Sequence, residues 1–290
     1  FEMDHVVTKS LKELAAESGC SLFMVLLGAF STLLSRYTNQ DDIIIGAPIA
    51  NRNYPEIESL IGFFVNTLAI RTDLSGEPNF RTLLTRVREI CFGAFANEDV
   101  PFEKLVETMD IPRDPSRNPL FQVMFTMQNT PMEELHIPGV QTYILEVDNY
   151  TSKFDLWMSL WERSDGVIAT LEYNTDLFDA STIEQLVNHY QNLLEGLVED
   201  STRYLFDIQL MKTEDLYQAL DCSADDYESI LPLTSIQRDL YLEMVLNPDN
   251  LCNSMGYSVE LPKDVDITLL KRVLQTFDNS QTVLRTHTIP

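Results

Sequence analysis

Apolar residues return at helical spacing in three stretches of the chain. Phe23, Leu26, Leu27, Phe30, Leu33, Leu34 and Tyr37 predict a first helix over 21–37 with that stripe turned inward. Phe80, Leu83, Leu84, Val87, Ile90, Cys91 and Ala94 do the same for a helix over 80–95. Ile183, Leu186, Val187, Tyr190, Leu193, Leu194 and Leu197 give the third, ending near Glu199. Ser181-Thr182-Ile183-Glu184, ahead of it, has the spacing of a capping box. Between these helices lie short runs rich in β-branched and aromatic residues. They predict strands at 42–46, 63–70, 121–127, 141–147, 154–161 and 167–173. The Pro- and Arg-rich stretch 111–119 reads as a loop. Alternating helices and strands predict an α/β fold.

The pattern breaks at 212–229, where Glu214, Asp215, Asp221, Asp225, Asp226 and Glu228 mark an acidic linker. Beyond it a new unit opens at Leu231-Pro232-Leu233-Thr234, with a helix to about Leu246, a strand near 254–261 and a helix near 267–277. The resulting division is 1–212, a linker at 213–229, and a short second α/β segment at 230–290. About 60 residues is little for an independent core. Leu240, Val245, Leu269, Leu270 and Val273 are therefore expected to need a partner surface, on the 1–212 unit or on another copy of the chain.

Composition narrows the function classes. The 290 residues are 44% hydrophobic and 22% charged, as in ordinary globular proteins. With 45 acidic and 20 basic residues the net charge is −25, which argues against nucleic acid and anionic membranes as partners. No run approaches the roughly 18 consecutive apolar residues of a membrane span. The chain begins Phe1-Glu2-Met3-Asp4, with neither an initiator Met nor an apolar leader, and reads as a piece of a longer cytoplasmic protein. Cys20, Cys91, Cys222 and Cys252 are scattered, with no Cys-x-x-Cys pair and no nearby His at metal-ligand spacing, so free thiols are expected and no metal.

Several residues admit two readings. Asn66, after an apolar run, is either a side chain of functional consequence or an amide tying down a loop. Asn97 to Glu103 reads equally as a turn before a helix, with Pro101 near its first position and Glu103 beside its positive end. Arg113 and Arg117 flank a turn in an acidic chain, where local ion pairs are the simple expectation. Phe64, Phe121 and Phe125 are core residues unless something places them at a ligand.

Three stretches in order resemble the condensation domains of nonribosomal peptide synthetases. Ile61-Gly62-Phe63-Phe64-Val65-Asn66-Thr67-Leu68-Ala69-Ile70-Arg71 is similar to the signature IGxFVNTxxLR. Asn97-Glu98-Asp99-Val100-Pro101-Phe102-Glu103 is similar to (H/N)QDxPFE, with Glu98 in place of Gln. Arg113-Asp114-Pro115-Ser116-Arg117-Asn118-Pro119-Leu120-Phe121-Gln122 resembles RDxSRNPLFQ, and the lead-in Gly46-Ala47-Pro48-Ile49-Ala50-Asn51-Arg52 fits as well. The tail resembles the opposite, N-terminal end of the family. Leu231 to Tyr241 is similar to the SxxQxRLW region, with Asp239 where the pattern has Arg. Asn279 to Thr286 keeps Leu284-Arg285-Thr286 of RHExLRT but not the Arg-His-Glu before it.

The resemblance implies that residues 1–212 are the C-terminal lobe of a condensation domain and 230–290 the start of a second, divergent one. It implies a chloramphenicol-acetyltransferase-like lobe with a mixed sheet and helices on one face. The implied reaction joins two carrier-tethered thioesters through an amide bond. The implied partners are upstream and downstream peptidyl carrier proteins and neighbouring synthetase domains. No cofactor is bound directly; the phosphopantetheine arms of the carriers arrive as parts of the substrates. Asn66, Phe64, Arg71, Glu103, Arg113, Arg117 and Asn118 become candidates for tunnel or structural roles. The family's general base belongs to an HHxxxDG motif. His5, His136, His189 and His287 include no adjacent pair, so no catalytic residue is assigned and the chain alone is expected to be inactive. Two other readings stand beside this one: a non-catalytic module that docks carriers or braces neighbouring domains, and a coenzyme A-dependent acyltransferase relative. Epimerization and heterocyclization domains share the resemblance less well.

Overall fold

The richest apolar run of the sequence becomes the most enclosed element of the fold. In the computed structural model, which describes residues 1–109, 114, 117–128, 151–163, 166–212, 214–215, 217, 235–246 and 265–280, this run is helix α2, Leu22–Thr38. Ser21 starts it by accepting the Met24 N–H on its hydroxyl (3.3 Å), and Asn39 ends it in the left-handed conformation at φ 56°. Nearly every side chain from Leu22 to Ser35 is buried. Two of the hydroxyls on this buried stretch find partners within the helix: Ser31 donates to the Leu27 carbonyl (2.9 Å) and Thr32 to that of Gly28 (2.8 Å).

Around α2 lie α1 (His5–Glu17), α4 (Phe80–Phe95) and α6 (Ala180–Glu199), all packed on one face of a six-stranded mixed sheet. The strands are β1 (Glu2–Met3), β2 (Asp42–Ile49), β3 (Asn66–Asp73), β4 (Val123–Gln128), β5 (Leu156–Arg163) and β6 (Gly166–Tyr173), in the spatial order β1-β6-β5-β4-β2-β3. β2, β4 and β5 run parallel, while β1, β6 and β3 are antiparallel to their neighbours. Two short helices, α3 (Pro55–Glu58) and α5 (Phe102–Thr108), stand outside this layer. The mixed sheet with helices on one face agrees with the sequence reading.

Strand alternation explains which side chains meet the helices. Ile43, Ile45 and Ala47 of β2, Leu68 and Ile70 of β3, Phe125 of β4 and Met158 and Leu160 of β5 enter one continuous core with α2, α4 and α6. Phe125 meets the rings of Phe23 and Phe30, each at 5.7 Å between centroids. Tyr190 of α6 is fully buried beside Phe30, and its hydroxyl donates to the Leu26 carbonyl of α2 at 3.0 Å. Phe121 and Met124 are also buried, yet they stand apart from this core. They belong to the other side of the sheet.

Four differences from the sequence reading have physical causes. The apolar pattern does not predict helix α1; its inward stripe is only Thr8, Leu11, Leu14 and Ala15, and its clearest signal is Asp4, whose carboxylate accepts the Val6 N–H. The strand expected at 63–70 begins at Asn66, and Ile61 and Phe63 before it are exposed. Helix α6 starts at Ala180 behind Asp179, so Ser181 to Glu184 is already inside the helix and does not cap it. Tyr37 lies at the exposed end of α2, where its hydroxyl shares a 2.7 Å hydrogen bond with Nδ1 of His189. The strands expected at 141–147 and 254–261, and most of the linker at 213–229, lie outside the described residues.

The chain divides into two compact units, Phe1–Lys212 and Thr213–Pro290. In the second, the described helices are α7 (Ser235–Leu246) and α8 (Ile267–Ser280). Leu240 and Val245 of α7, and Leu269, Val273 and Phe277 of α8, are exposed.

Two outcomes are expected from the α2–α6 contact. Tyr190→Phe should lower unfolding free energy by about 1 kcal/mol, the worth of one buried hydrogen bond, and Tyr190→Ala by about 3–5 kcal/mol through the cavity it leaves. Urea titration at pH 7 checks both, and an unaltered midpoint for Tyr190→Ala would refute the packing described. Burial, seconded by Arg36, holds the His189 imidazole below its ordinary value of 6.5. The unfolded chain therefore takes up the proton first, so this residue contributes stability above about pH 6.5 that is lost as pH falls from there through the lower value of the folded chain. Unfolding midpoints at pH 5.5 and 7.5 should differ less for His189→Gln than for the parent.

Candidate functional site

β3 opens with a side chain whose hydrogen-bonding capacity is fully used. Asn66 stands opposite Ile49 of β2, and its Nδ2 donates to the carbonyls of Glu98 (2.7 Å) and Val100 (2.8 Å). Its Oδ1 accepts the N–H of Phe102 (3.1 Å) and of Thr67 (2.9 Å). A primary amide has two donors and two acceptor lone pairs, so nothing is left over. Pro101 precedes α5 and has no side chain able to cap it. The first-turn N–H of Phe102 is instead capped from β3, by a residue 36 positions away in sequence. Asn53 joins the same junction by donating to the Glu98 carboxylate at 2.7 Å.

The segment ahead of Asn66 is shaped by Arg52. After Asn51 turns the chain in the left-handed region (φ 50°), the Arg52 guanidinium donates to the carbonyls of Ile57, Glu58 (3.2 Å) and Leu60 (2.8 Å), with Gly62 at 3.5 Å. The first two are carbonyls at the C-terminal end of α3, where helical partners run out; that of Ile57 also accepts the Leu60 N–H at 3.2 Å. The guanidinium also lies 4.3 Å from the centroid of Phe64, a cation–π contact that holds this ring half-buried. A Cβ at Gly62 would come within 2.9 Å of the Phe64 ring, which would have to shift to admit it.

A third segment locks on through Phe121. Its ring occupies the space that a side chain at Gly46 would take: a Cβ there would lie 2.2 Å from Phe121 Cε2. Leu120, at φ 68°, adopts a conformation costly for a residue with a bulky side chain, and delivers Phe121 to this slot. Phe121 then meets Phe102 (5.3 Å) and stacks on Phe154 (6.0 Å), which meets Trp157 edge-on (6.2 Å). Asn118 donates to the Lys153 carbonyl at 2.8 Å and Gln122 to that of Asn118 at 2.9 Å. Three stretches far apart in sequence thus converge beyond the carboxyl end of β2.

The structure separates the remaining candidates from this junction. Arg71 lies five residues along β3, roughly 16 Å away at strand spacing, and grips the Asp42 carboxylate with Nε (2.9 Å) and Nη2 (2.7 Å). That hydrogen bonding holds the Asp42 carboxyl below its ordinary value. Arg117 forms an exposed local ion pair with Asp114 at 3.0 Å. Glu103 is exposed in the first turn of α5, where its charge suits the helix end. Arg113 lies outside the described residues.

Gly46, Arg52 and Phe102 organise the junction, although no sequence feature marks them as candidates by themselves. For Arg52 the available signal is its place in the polar triplet Asn51-Arg52-Asn53, directly after a buried strand.

No nucleophile is poised at the described thiols. Burial raises the Cys20 thiol against the opposing effect of Arg88, and pushes that of Cys91 up to about 12, so both stay protonated at neutral pH. Among the described residues no cluster of His, Cys, Asp and Glu could hold a metal ion, and no single helix is long and apolar enough to cross a membrane.

Comparison with known proteins places this geometry in context. A family model described as Condensation domain matches residues 1–219. The chain is 49% identical over 209 residues to one of the linear gramicidin synthase proteins of Brevibacillus parabrevis, covering 71% of this chain and 4% of that protein. Among solved structures it resembles the X-domain, in complex with OxyB, from teicoplanin biosynthesis, with a TM-score of 0.67 and 29% identity over 73% of this chain and 47% of that one. A holo four-domain nonribosomal peptide synthetase bound to AMP and glycine gives a TM-score of 0.69 at 22% identity, over 88% of this chain and 20% of that one, a likeness of fold. The chain thus spans a small part of the synthetases it matches.

Asn66→Ala should lower stability by about 1–3 kcal/mol by leaving these polar groups unpaired, and should speed amide exchange at Phe102 at least ten-fold. Asn66→Asp keeps the acceptor for Phe102 but turns a carboxylate on two carbonyls. It should be destabilised at pH 7 and recover relative to the parent as pH falls toward about 4, because the folded chain's carboxyl regains a proton to donate above its ordinary value. Hydrogen exchange and urea titration check these; unaltered exchange at Phe102 in Asn66→Ala would refute the clasp.

Proposed function

Since the chain belongs to the condensation-domain family, we propose that it supplies one lobe of a synthetase domain that forms an amide bond between two carrier-tethered thioesters. The observation that carries this reading is the convergence of the three family-like stretches on Asn66 and Phe121, at one end of the lobe. In the reaction, the amine of one substrate attacks the thioester carbonyl of the other. A C–N bond forms, the C–S bond breaks, and the amine's proton leaves while the departing pantetheine sulfur is protonated. The residues of this chain would shape and brace the site, and the general base would come from an HHxxxDG segment that the 290 residues do not contain. The expected partners are peptidyl carrier proteins and neighbouring synthetase domains, met in the cytoplasm. Phosphopantetheine enters only as the arm of each substrate. Residues 230–290 are read as the opening of a second, divergent condensation domain, on the likeness of Leu231 to Tyr241 to the family's N-terminal region.

One observation favours a second reading. The X-domain that the chain resembles is seen in complex with OxyB, which supports a module that docks a partner without joining substrates. The test is to mix the purified chain with donor- and acceptor-loaded carriers and analyse them by mass spectrometry, alone and within a domain containing HHxxxDG. The chain alone should give no dipeptidyl carrier, and the larger domain should give it, with a loss of at least ten-fold on Asn66→Ala. Carrier binding with no product in either would favour the docking module, and turnover of acyl-coenzyme A would favour the acyltransferase alternative.

A further inference from the structure

Beside the Asn66 junction, on the helix side of the sheet, the core is left incomplete. A cavity of about 460 Å³ opens where β2, β4 and β5 end. Ala47, Ile49 and Ile70 form its floor, and Phe23, Phe95 and Met127 its walls. The three strands that contribute Ala47 and Ile49, Met127 and Glu162 are mutually parallel, and each does so from its carboxyl end. Open α/β sheets commonly hold ligands in the crevice outside such ends. The size is within the range of small-molecule sites, and a mostly apolar lining with few polar groups is the usual composition of one.

The polar groups at the mouth decide the class of ligand. Ser21 uses its hydroxyl to cap α2. Glu162 presents a carboxylate, which Lys12 engages from outside the lining at 2.7 Å. Among the described residues no Lys or Arg lines the cavity. An anionic ligand would find no counter-charge in that lining, whereas an amine would find the second face of the Glu162 carboxylate. The geometry points to a site for a primary amine carrying an apolar side chain, with its ammonium at Glu162 and the side chain between Phe23, Phe95 and Met127. Ile49 on the floor is directly opposite Asn66, and Phe95 is three residues before Glu98, whose carbonyl Asn66 holds. The same clasp therefore fixes one side of this cavity. Identifying the occupant as the side chain of the amine substrate rests on the condensation reading; the amine site itself does not.

The experiment titrates the full 290-residue chain, labelled at Ile, Leu and Met methyls, with leucinamide, N-acetylleucinamide, free leucine and glycinamide. Leucinamide should shift Ile49, Ile70 and Met127. Acetylation of its amine, the free carboxylate, or loss of the side chain should each weaken binding at least five-fold. Ala50→Phe, at the exposed rim, should abolish the shifts while leaving the fold intact, and Glu162→Gln should remove the preference for the free amine. Equal binding of glycinamide, or shifts that survive Ala50→Phe, would overturn the site. If leucinamide binds as described yet Ala50→Phe within an active domain leaves kcat/KM equal for large and small acceptor side chains, the amine site stands and its assignment to the condensation substrate fails.

Discussion

A single carboxamide joins the parts of the lobe that carry its distinguishing sequence. Asn66 is bonded to the carbonyls of Glu98 and Val100 and to the amide of Phe102, so β3, the turn after α4 and the start of α5 share one anchor. No apolar contact could do this, because the groups being satisfied are backbone donors and acceptors at a helix start and a turn. Once α5 is placed, Phe102 is set against Phe121, and Phe121 reaches the slot left by Gly46. Each step depends on the one before it.

The helix-packed core and the junction are organised by different physics. On the helix side, α2 is enclosed by α1, α4, α6 and the strands, and burial of aliphatic and aromatic side chains is the main source of stability. At the junction, the arrangement depends instead on special positions: glycine at 46, where Phe121 fills the side-chain space, left-handed backbone at Asn51 and Leu120, and Arg52 drawing carbonyls inward. Such positions tolerate little substitution, and strain tends to collect where a protein does its work. The proposed amine site lies where these two regimes meet, with Ala47, Ile49 and Ile70 from the core and Phe95 from the clasped turn's helix.

The helices α2, α4 and α6 and most of the described strands can be read from apolar spacing, because burial of one face imposes a period on the sequence. Helix α1 escapes because its inward stripe includes Thr8 and Ala15 and so lacks contrast. The early start assigned to β3 has another cause: Phe63, Phe64 and Val65 look like strand residues, but Arg52 and Asn66 hold that stretch as a loop. Motif likeness points to Asn66, and its alternative as a loop-tying amide matches the bonds it makes. Likeness cannot distinguish Asn66 from Arg71, since both belong to one signature while only the first lies at the junction. Arg52 and Gly46 are legible only as parts of a lead-in, because their roles arise from groups distant in sequence.

The claim that one amide couples these segments is tested most directly by a double-mutant cycle between Asn66→Ala and Phe121→Leu, with stabilities taken from urea unfolding. The two side chains communicate through Phe102, so the losses should be non-additive by more than about 0.5 kcal/mol. Additivity within about 0.3 kcal/mol would contradict the account and leave the three segments as independently placed loops.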